Sequence, residues 1–138
     1  MARVIVCGGR VYGNRRRLHA VLDAAVQRLG LDHVIAGGAM GADSLAAEWA
    51  RLRDIPIDVF KAHWGREGKA AGHIRNARMI EQGKPDLVIA FPGGRGTANM
   101  VGQALAAGIP VHKIDWPAEA ENAFPEEPDP TGQMALRL

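Results

Sequence analysis

The stretch Pro92-Gly93-Gly94-Arg95-Gly96-Thr97 is the part of this 138-residue chain best suited to holding an anion. It follows the apolar run Leu87-Val88-Ile89-Ala90-Phe91 and precedes Met100, Val101, Ala104 and Leu105, which recur at helical spacing. Strand, glycine-rich turn and helix in that order aim bare backbone N–H groups outward. Glycine permits close approach, and the first turn of a helix leaves its donors unpaired at the positive end of the dipole. Phosphate is the usual occupant. Gly93, Gly94, Gly96 and Thr97 are therefore expected to hold a phosphate-bearing small molecule.

Two further glycine loops follow apolar runs: Gly8-Gly9-Arg10, and Gly37-Gly38-Ala39-Met40-Gly41-Ala42-Asp43. One such loop is a weak signal, because many turns use glycine; three, each after a strand, are a stronger one. The competing reading is that the glycines only allow tight packing of strand on helix. Other phosphate and catalytic signatures are missing. Gly65-Arg66-Glu67-Gly68-Lys69 resembles a Walker-type loop, but no Ser or Thr follows Lys69, and no G-x-G-x-x-G follows the first strand. Ser44 is the only serine and has no nucleophile-elbow context, and the five histidines and lone Cys7 lack ligand spacing. No metal site is expected.

The segment Trp64 to Asn76 is the other unusual one. Trp64 and Lys69 precede a weakly amphipathic helical pattern in which Arg75, followed by Asn76, is expected in the first turn. A cation there opposes the dipole, so Arg75 reads either as the partner of an anion or as a solvated side chain. Trp64 reads either as a surface for stacking a base or ribose or as a packed ring. The run Arg15-Arg16-Arg17 reads as a solvated helix start.

Five short runs rich in Val and Ile must position these loops: Val4–Cys7, Val34–Ala36, Ile57–Phe60, Leu87–Phe91 and Val111–Ile114. Most are continuously apolar, as in parallel strands covered on both faces. Helical stripes lie between them: Leu18, Val21, Leu22, Ala25, Val26 and Leu29; Leu45, Ala46, Trp49 and Ala50; a polar helix near Gly72–Gln82; and one from Thr97 to about Ala107. Gly30 falls where a C-terminal cap would sit. The alternation predicts an α/β fold: one Rossmann-like, doubly wound domain over residues 1–116, with a five-stranded, mainly parallel sheet in the order 3-2-1-4-5 and helices on both faces. Ligands of such sheets sit where the strand order switches, which brings the loops after Cys7 and Phe91 to one crevice. From Pro117 the chain becomes rich in Pro, Glu and Asp, and 117–138 reads as an extended or disordered tail.

Length fits one domain, and 47% hydrophobic residues supply a core. A net charge of +2 creates no strong field for nucleic acid. No apolar run reaches the roughly 20 residues of a membrane helix. Met1-Ala2-Arg3-Val4 leads directly into a strand, and a soluble cytoplasmic protein is expected.

Gly37-Gly38-x-x-Gly41, Arg75-Asn76-x-x-Met79 and Pro92-Gly93-Gly94-x-Gly96-Thr97 together resemble the SLOG superfamily. That group includes the "lonely guy" (LOG) phosphoribohydrolases and the DNA-processing DprA proteins. Val6-Cys7-Gly8-Gly9-Arg10, Glu48-Trp49-Ala50, Trp64-x-x-x-Gly68-Lys69-Ala70-Ala71-Gly72 and Arg75-Asn76 are most similar to its small YspA/YpsA-related branch. The resemblance spans residues 3 to about 114 and implies a nucleotide or ADP-ribose-like ligand, no required cofactor, and a homodimer. LOG enzymes, which cleave the N-glycosidic bond of nucleoside 5′-monophosphates, carry P-G-G-x-G-T-x-x-E and a catalytic Arg that matches Arg75. Here the position of the Glu is Met100, whose thioether cannot supply the charge that the reaction needs.

The expected function is therefore binding of a phosphate-containing nucleotide. Gly93, Gly94, Gly96 and Thr97 hold the phosphate, and Arg75 with Asn76 pairs with phosphate or ribose oxygens. Gly8, Gly9, Arg10, Gly37, Gly38, Asp43, Trp64 and Lys69 line the ribose or base side. The rival is an N-glycosidase in which Asp43, Glu67 or Glu48 replaces the missing carboxylate, Asp43 being on a facing loop. DNA binding, by analogy with DprA, is the third reading.

Overall fold

The run Val4-Ile5-Val6-Cys7 has no polar side, and β1 (Ala2–Cys7) accordingly lies inside a parallel sheet, buried on both faces. In the computed structural model, which describes residues 1–114 and 133–135, β1 is flanked by β2 (Leu31–Ala36) and β4 (Leu87–Ala90). β3 (Ile57–Val59) pairs with β2, and β5 (Val111–Lys113) with β4; all of these pairs are parallel. The five expected strands thus stand in the order 3-2-1-4-5. A sixth, β6 (Gln133–Ala135), adds parallel to β5 and extends that edge. Three residues within a proline- and acid-rich stretch carry too little periodicity to announce a strand. The expectation of an extended or disordered tail over 117–132 and 136–138 lies outside the described residues.

Alternation along β1 sends Val4 and Val6 to one face and Ile5 and Cys7 to the other. The first face packs on α1 (Arg15–Leu29) and α2 (Ala42–Leu52) through Leu18, Leu22, Ala46 and Trp49. The second packs on α4 (Ala71–Gly83) and α5 (Arg95–Ala106) through Met79, Met100 and Ala104. Each fully buried aliphatic side chain contributes about 1.5–3 kcal/mol relative to exposure. Local signals fix the helix ends. Asn14 caps α1 by accepting from the Arg17 N–H at 3.1 Å, and Gly30 ends it at φ 70°.

Two boundaries differ from expectation. A short helix α3 (Trp64–Glu67) and a 3-10 turn at Gly68–Ala70 run into α4, which begins at Ala71. Arg75 is therefore in the second turn of α4, so the argument that a first-turn cation opposes the dipole does not apply to it. α5 begins at Arg95, two residues before Thr97, because Gly94 serves as its N-cap.

Candidate functional site

β1, β2 and β4 end side by side, and their loops meet at the switch in strand order. Backbone bonds join them: the Gly9 N–H donates to the Pro92 carbonyl at 2.9 Å, and the Ala42 N–H donates to the Gly9 carbonyl at 3.2 Å. Together with α3 and the start of α4 they enclose a cleft of about 990 Å³.

The glycines divide into two groups. A Cβ at Gly8 would lie 2.7 Å from the Ala42 Cβ, and one at Gly9 would lie 3.1 Å from the Pro92 carbonyl oxygen. At Gly93 it would strike the Thr97 hydroxyl, and at Gly41 the carbonyl of Gly9. Loop packing alone explains these residues. Gly94 and Gly96 are different: nothing lies within 4 Å of a Cβ at either, yet both line the cleft. Gly94 has no side chain to cap α5, and the helix's first backbone bond runs from Ala98 N–H to the Gly94 carbonyl. The N–H groups of Arg95, Gly96 and Thr97 precede that bond, at the positive end of the dipole.

Arg75 reaches across the cleft floor. Its Nη1 donates to the carbonyls of Gly37 at 2.5 Å and Phe60 at 3.5 Å, and its Nε donates to Asn76 Oδ1 at 3.0 Å. No hydrogen bond engages Nη2 among the described residues. Burial holds the guanidinium below its ordinary pKa, with Asp43 opposing that shift. Asp43 is 7% exposed, in the first turn of α2, and its Oδ2 accepts from the Ala39 N–H at 3.1 Å. Burial pushes its carboxyl above the ordinary value, ahead of the opposing pull of the Ala39 N–H, Arg75 and the Gly37 N–H. Cys7 is buried; burial first and Asp43 second drive its thiol far up, so it stays protonated.

Asn76, 3% exposed, is occupied by the protein itself. Its Nδ2 donates to the Gly96 carbonyl at 3.2 Å and to Asn99 Oδ1 at 3.1 Å, while its own Oδ1 holds Arg75. Gln103 Nε2 in turn donates to Asn99 Oδ1 at 2.7 Å and to the His73 carbonyl at 3.1 Å. Asn76 thus fixes Arg75 relative to the start of α5. Asn99 and Gln103 escaped sequence reasoning, although their spacing of four on one helix face was the available signal.

At the mouth, the Arg10 guanidinium sits over the Trp64 ring, 5.3 Å from its centroid. Gly8, Gly9, Arg10, Gly37, Asp43, Trp64, Lys69, Arg75 and Asn76 all line the cleft with the Gly93–Thr97 loop. Gly38 does not: it turns at φ 74°, where a Cβ would lie 2.9 Å from Val59 Cγ1. Of the three candidate surrogate carboxylates, Asp43 alone lines the cleft. Glu48 accepts from Arg15 at 2.6 Å and pairs with His19 on the α1–α2 surface. Tyr12 was also missed; it lines the cleft and its ring meets Phe91 at 5.3 Å. Among the described residues no group of three or more His, Cys, Asp or Glu is placed to hold a metal ion, and no helix is long and apolar enough to cross a membrane.

A parallel sheet wrapped on both faces, with its cleft at the switch in strand order, defines a Rossmann-like α/β protein. Comparison with known proteins gives the family. The profile of the YAcAr family (YspA, cpYpsA-related SLOG family) matches residues 2–66. The Gene 61 protein of Mycobacterium phage D29 is 37% identical over 119 residues, which is 80% of this chain and 94% of that one. The chain belongs to the YspA/cpYpsA-related SLOG family. Solved structures share the fold at low identity. The structural-genomics target TM1055 matches with a TM-score of 0.60 and 20% identity, over 81% of this chain and 73% of that one. MurG of Acinetobacter baumannii matches at 0.54 and 19%, over 82% of this chain and 34% of that one. UDP-GlcNAc 2-epimerase of Neisseria meningitidis, bound to UDP-GlcNAc, matches at 0.50 and 16%, over 81% and 32%.

Proposed function

We propose that the cleft binds a phosphate-containing nucleotide or derivative (a nucleoside monophosphate, ADP-ribose or an NAD-like molecule), and that the protein acts by binding or sensing it. One observation carries this reading: Gly94 and Gly96 have no packing reason to be glycine, and both flank the uncapped start of α5 inside the cleft. Open backbone beside unpaired N–H groups is what close approach of a phosphate requires. Arg75, preset by Gly37 and Asn76, keeps Nη2 for a phosphate or ribose oxygen. Lys69 and Arg10 add positive charge at the mouth, while Asp43 is the one carboxylate among the described residues that line it. Family membership agrees with a nucleotide-related role. Isothermal titration against AMP, ADP-ribose, NAD and other nucleotides is the test. Saturable binding that Arg75→Ala weakens is expected; no binding across the panel, or equal binding by Arg75→Ala, overturns the reading. A homodimer is proposed by analogy with the superfamily, and light scattering decides it.

A second reading rests on Asp43. A buried carboxyl with a raised pKa, in the same cleft as Arg75, has the character of a general acid. In this reading the C1′–N bond of a nucleotide breaks as the oxygen of water bonds to C1′, Asp43 gives its proton to the departing base nitrogen, and the proton lost by the water restores the Asp43 acid. Chromatography of released base tests it. Turnover that Asp43→Asn abolishes supports it; no free base from common nucleotides sinks it.

A further inference from the structure

Trp64 is 49% exposed, although an indole is among the costliest side chains to leave in water. Its segment offers it no shelter: neither α3 nor the following 3-10 turn has a buried residue. The ring touches the fold by its edge, with Cη2 3.5 Å from where a Cβ at Gly72 would stand. The Arg10 guanidinium lies over one face, 5.3 Å from the ring centroid, itself exposed and without an ion pair among the described residues. Arg10 belongs to the loop after β1 and Trp64 to α3, and both line the same cleft as Gly94 and Gly96. A cationic cover on an electron-rich ring is replaceable: a planar aromatic group gains stacking area there, while the guanidinium moves into water at small cost.

Resting on the nucleotide reading above, we infer that the Trp64 face under Arg10 is a stacking subsite for the ligand's nucleobase, with Arg10 as its displaceable cover. The phosphate is held at the start of α5, and the base lies against the indole at the mouth. Recognition at this end is by ring area rather than by hydrogen bonds.

The test is calorimetric titration of wild type, Trp64→Leu and Trp64→Phe with AMP, ADP-ribose and ribose 5-phosphate, which lacks a base. In wild type the two nucleotides bind about tenfold or more tightly than ribose 5-phosphate, the range that one base–aromatic stack supplies. Trp64→Leu removes that preference, and a cooperative thermal melt shows that the variant is folded. Trp64→Phe retains most of the preference. Quenching of tryptophan emission by AMP disappears in Trp64→Leu although Trp49 and Trp116 remain. If the nucleotides keep their advantage in Trp64→Leu, the stacking subsite is wrong while the phosphate site stands. If none of the three ligands binds wild type, the nucleotide reading fails and takes the subsite with it.

Discussion

Arg75 Nη1 donates to the Gly37 carbonyl at 2.5 Å, tying α4 to the loop after β2. The two residues require each other. A Cβ at Gly37 would meet the Arg75 guanidinium and lie 2.9 Å from Asp43 Oδ2. Any side chain at 37 would therefore push the cation off the cleft floor and crowd the carboxylate. Through Asn76 the same guanidinium is tied to the Gly96 carbonyl, so one arginine aligns the loops after β2 and β4.

Arg75→Lys tests whether this alignment needs the fork or only the charge. An ammonium cannot reach Gly37 and Asn76 Oδ1 from one planar group. Stability in urea falls by about 1–2 kcal/mol, as expected for charge-assisted bonds at a half-buried site, and AMP affinity falls at least about tenfold. Wild-type affinity in Arg75→Lys would show that charge alone suffices.

Gly93 and Gly96 stand three residues apart and respond oppositely to alanine. At Gly93 the methyl strikes Thr97 and lies 2.6 Å from the Gly9 backbone nitrogen, so Gly93→Ala costs about 1–3 kcal/mol of stability. At Gly96 the methyl meets nothing, and alanine favours the helix, so Gly96→Ala keeps or gains up to about 1 kcal/mol. It also covers the N–H groups at the start of α5 and weakens ribose 5-phosphate binding. Thermal melts and titration together check both halves. Unchanged phosphate binding in Gly96→Ala would remove the close-approach argument.

The strand order and the cleft were legible because β1 and β4 are apolar on both sides and because glycine loops follow β1, β2 and β4. What was not legible depends on tertiary partners. Asn76 reads as a ligand contact in the motif, yet its amide is consumed by Arg75, Gly96 and Asn99, a network visible only once α4 and α5 are side by side. Gly38 looks equivalent to Gly37 in sequence, but its positive φ turns it toward Val59. The short helix at Trp64 has neither the length nor the apolar stripe that periodicity detects.

His112 predicts the acid limit of the fold. It is fully buried on β5, opposite Ile89, and burial lowers its pKa from 6.5 to about 4. A depressed folded pKa stabilises the neutral form. The contribution is complete above the unfolded value and is lost as pH falls from about 6.5 through 4, up to about 3 kcal/mol in all. Asp43 acts in the opposite sense, since its raised carboxyl pKa favours folding at low pH and loses that contribution as pH rises through the folded value. Urea unfolding from pH 7 to 4 should show a steeper loss in wild type than in His112→Gln. Parallel curves would show that His112 is not the titrating group.

Met100 decides whether this scaffold is one substitution from the hydrolase motif that its glycine loop resembles. Its side chain is 1% exposed, lines the cleft floor, and packs with Val88, Val101 and Ala104 on the α5 side of the sheet. A glutamate there would bring a carboxylate into an apolar cluster. Arg75, which lines the same cleft, already spends its Nη1 and Nε on Gly37, Phe60 and Asn76. Met100→Glu is therefore expected to lower stability by several kcal/mol, about the cost of burying a poorly paired charge. Its glutamate should titrate well above the ordinary carboxylate range, and the variant should release no base from AMP. Melting curves and chromatography of the reaction mixture check this. Base release by a stable Met100→Glu protein would show that the cleft already holds its substrate in a reactive pose and lacks only the carboxylate.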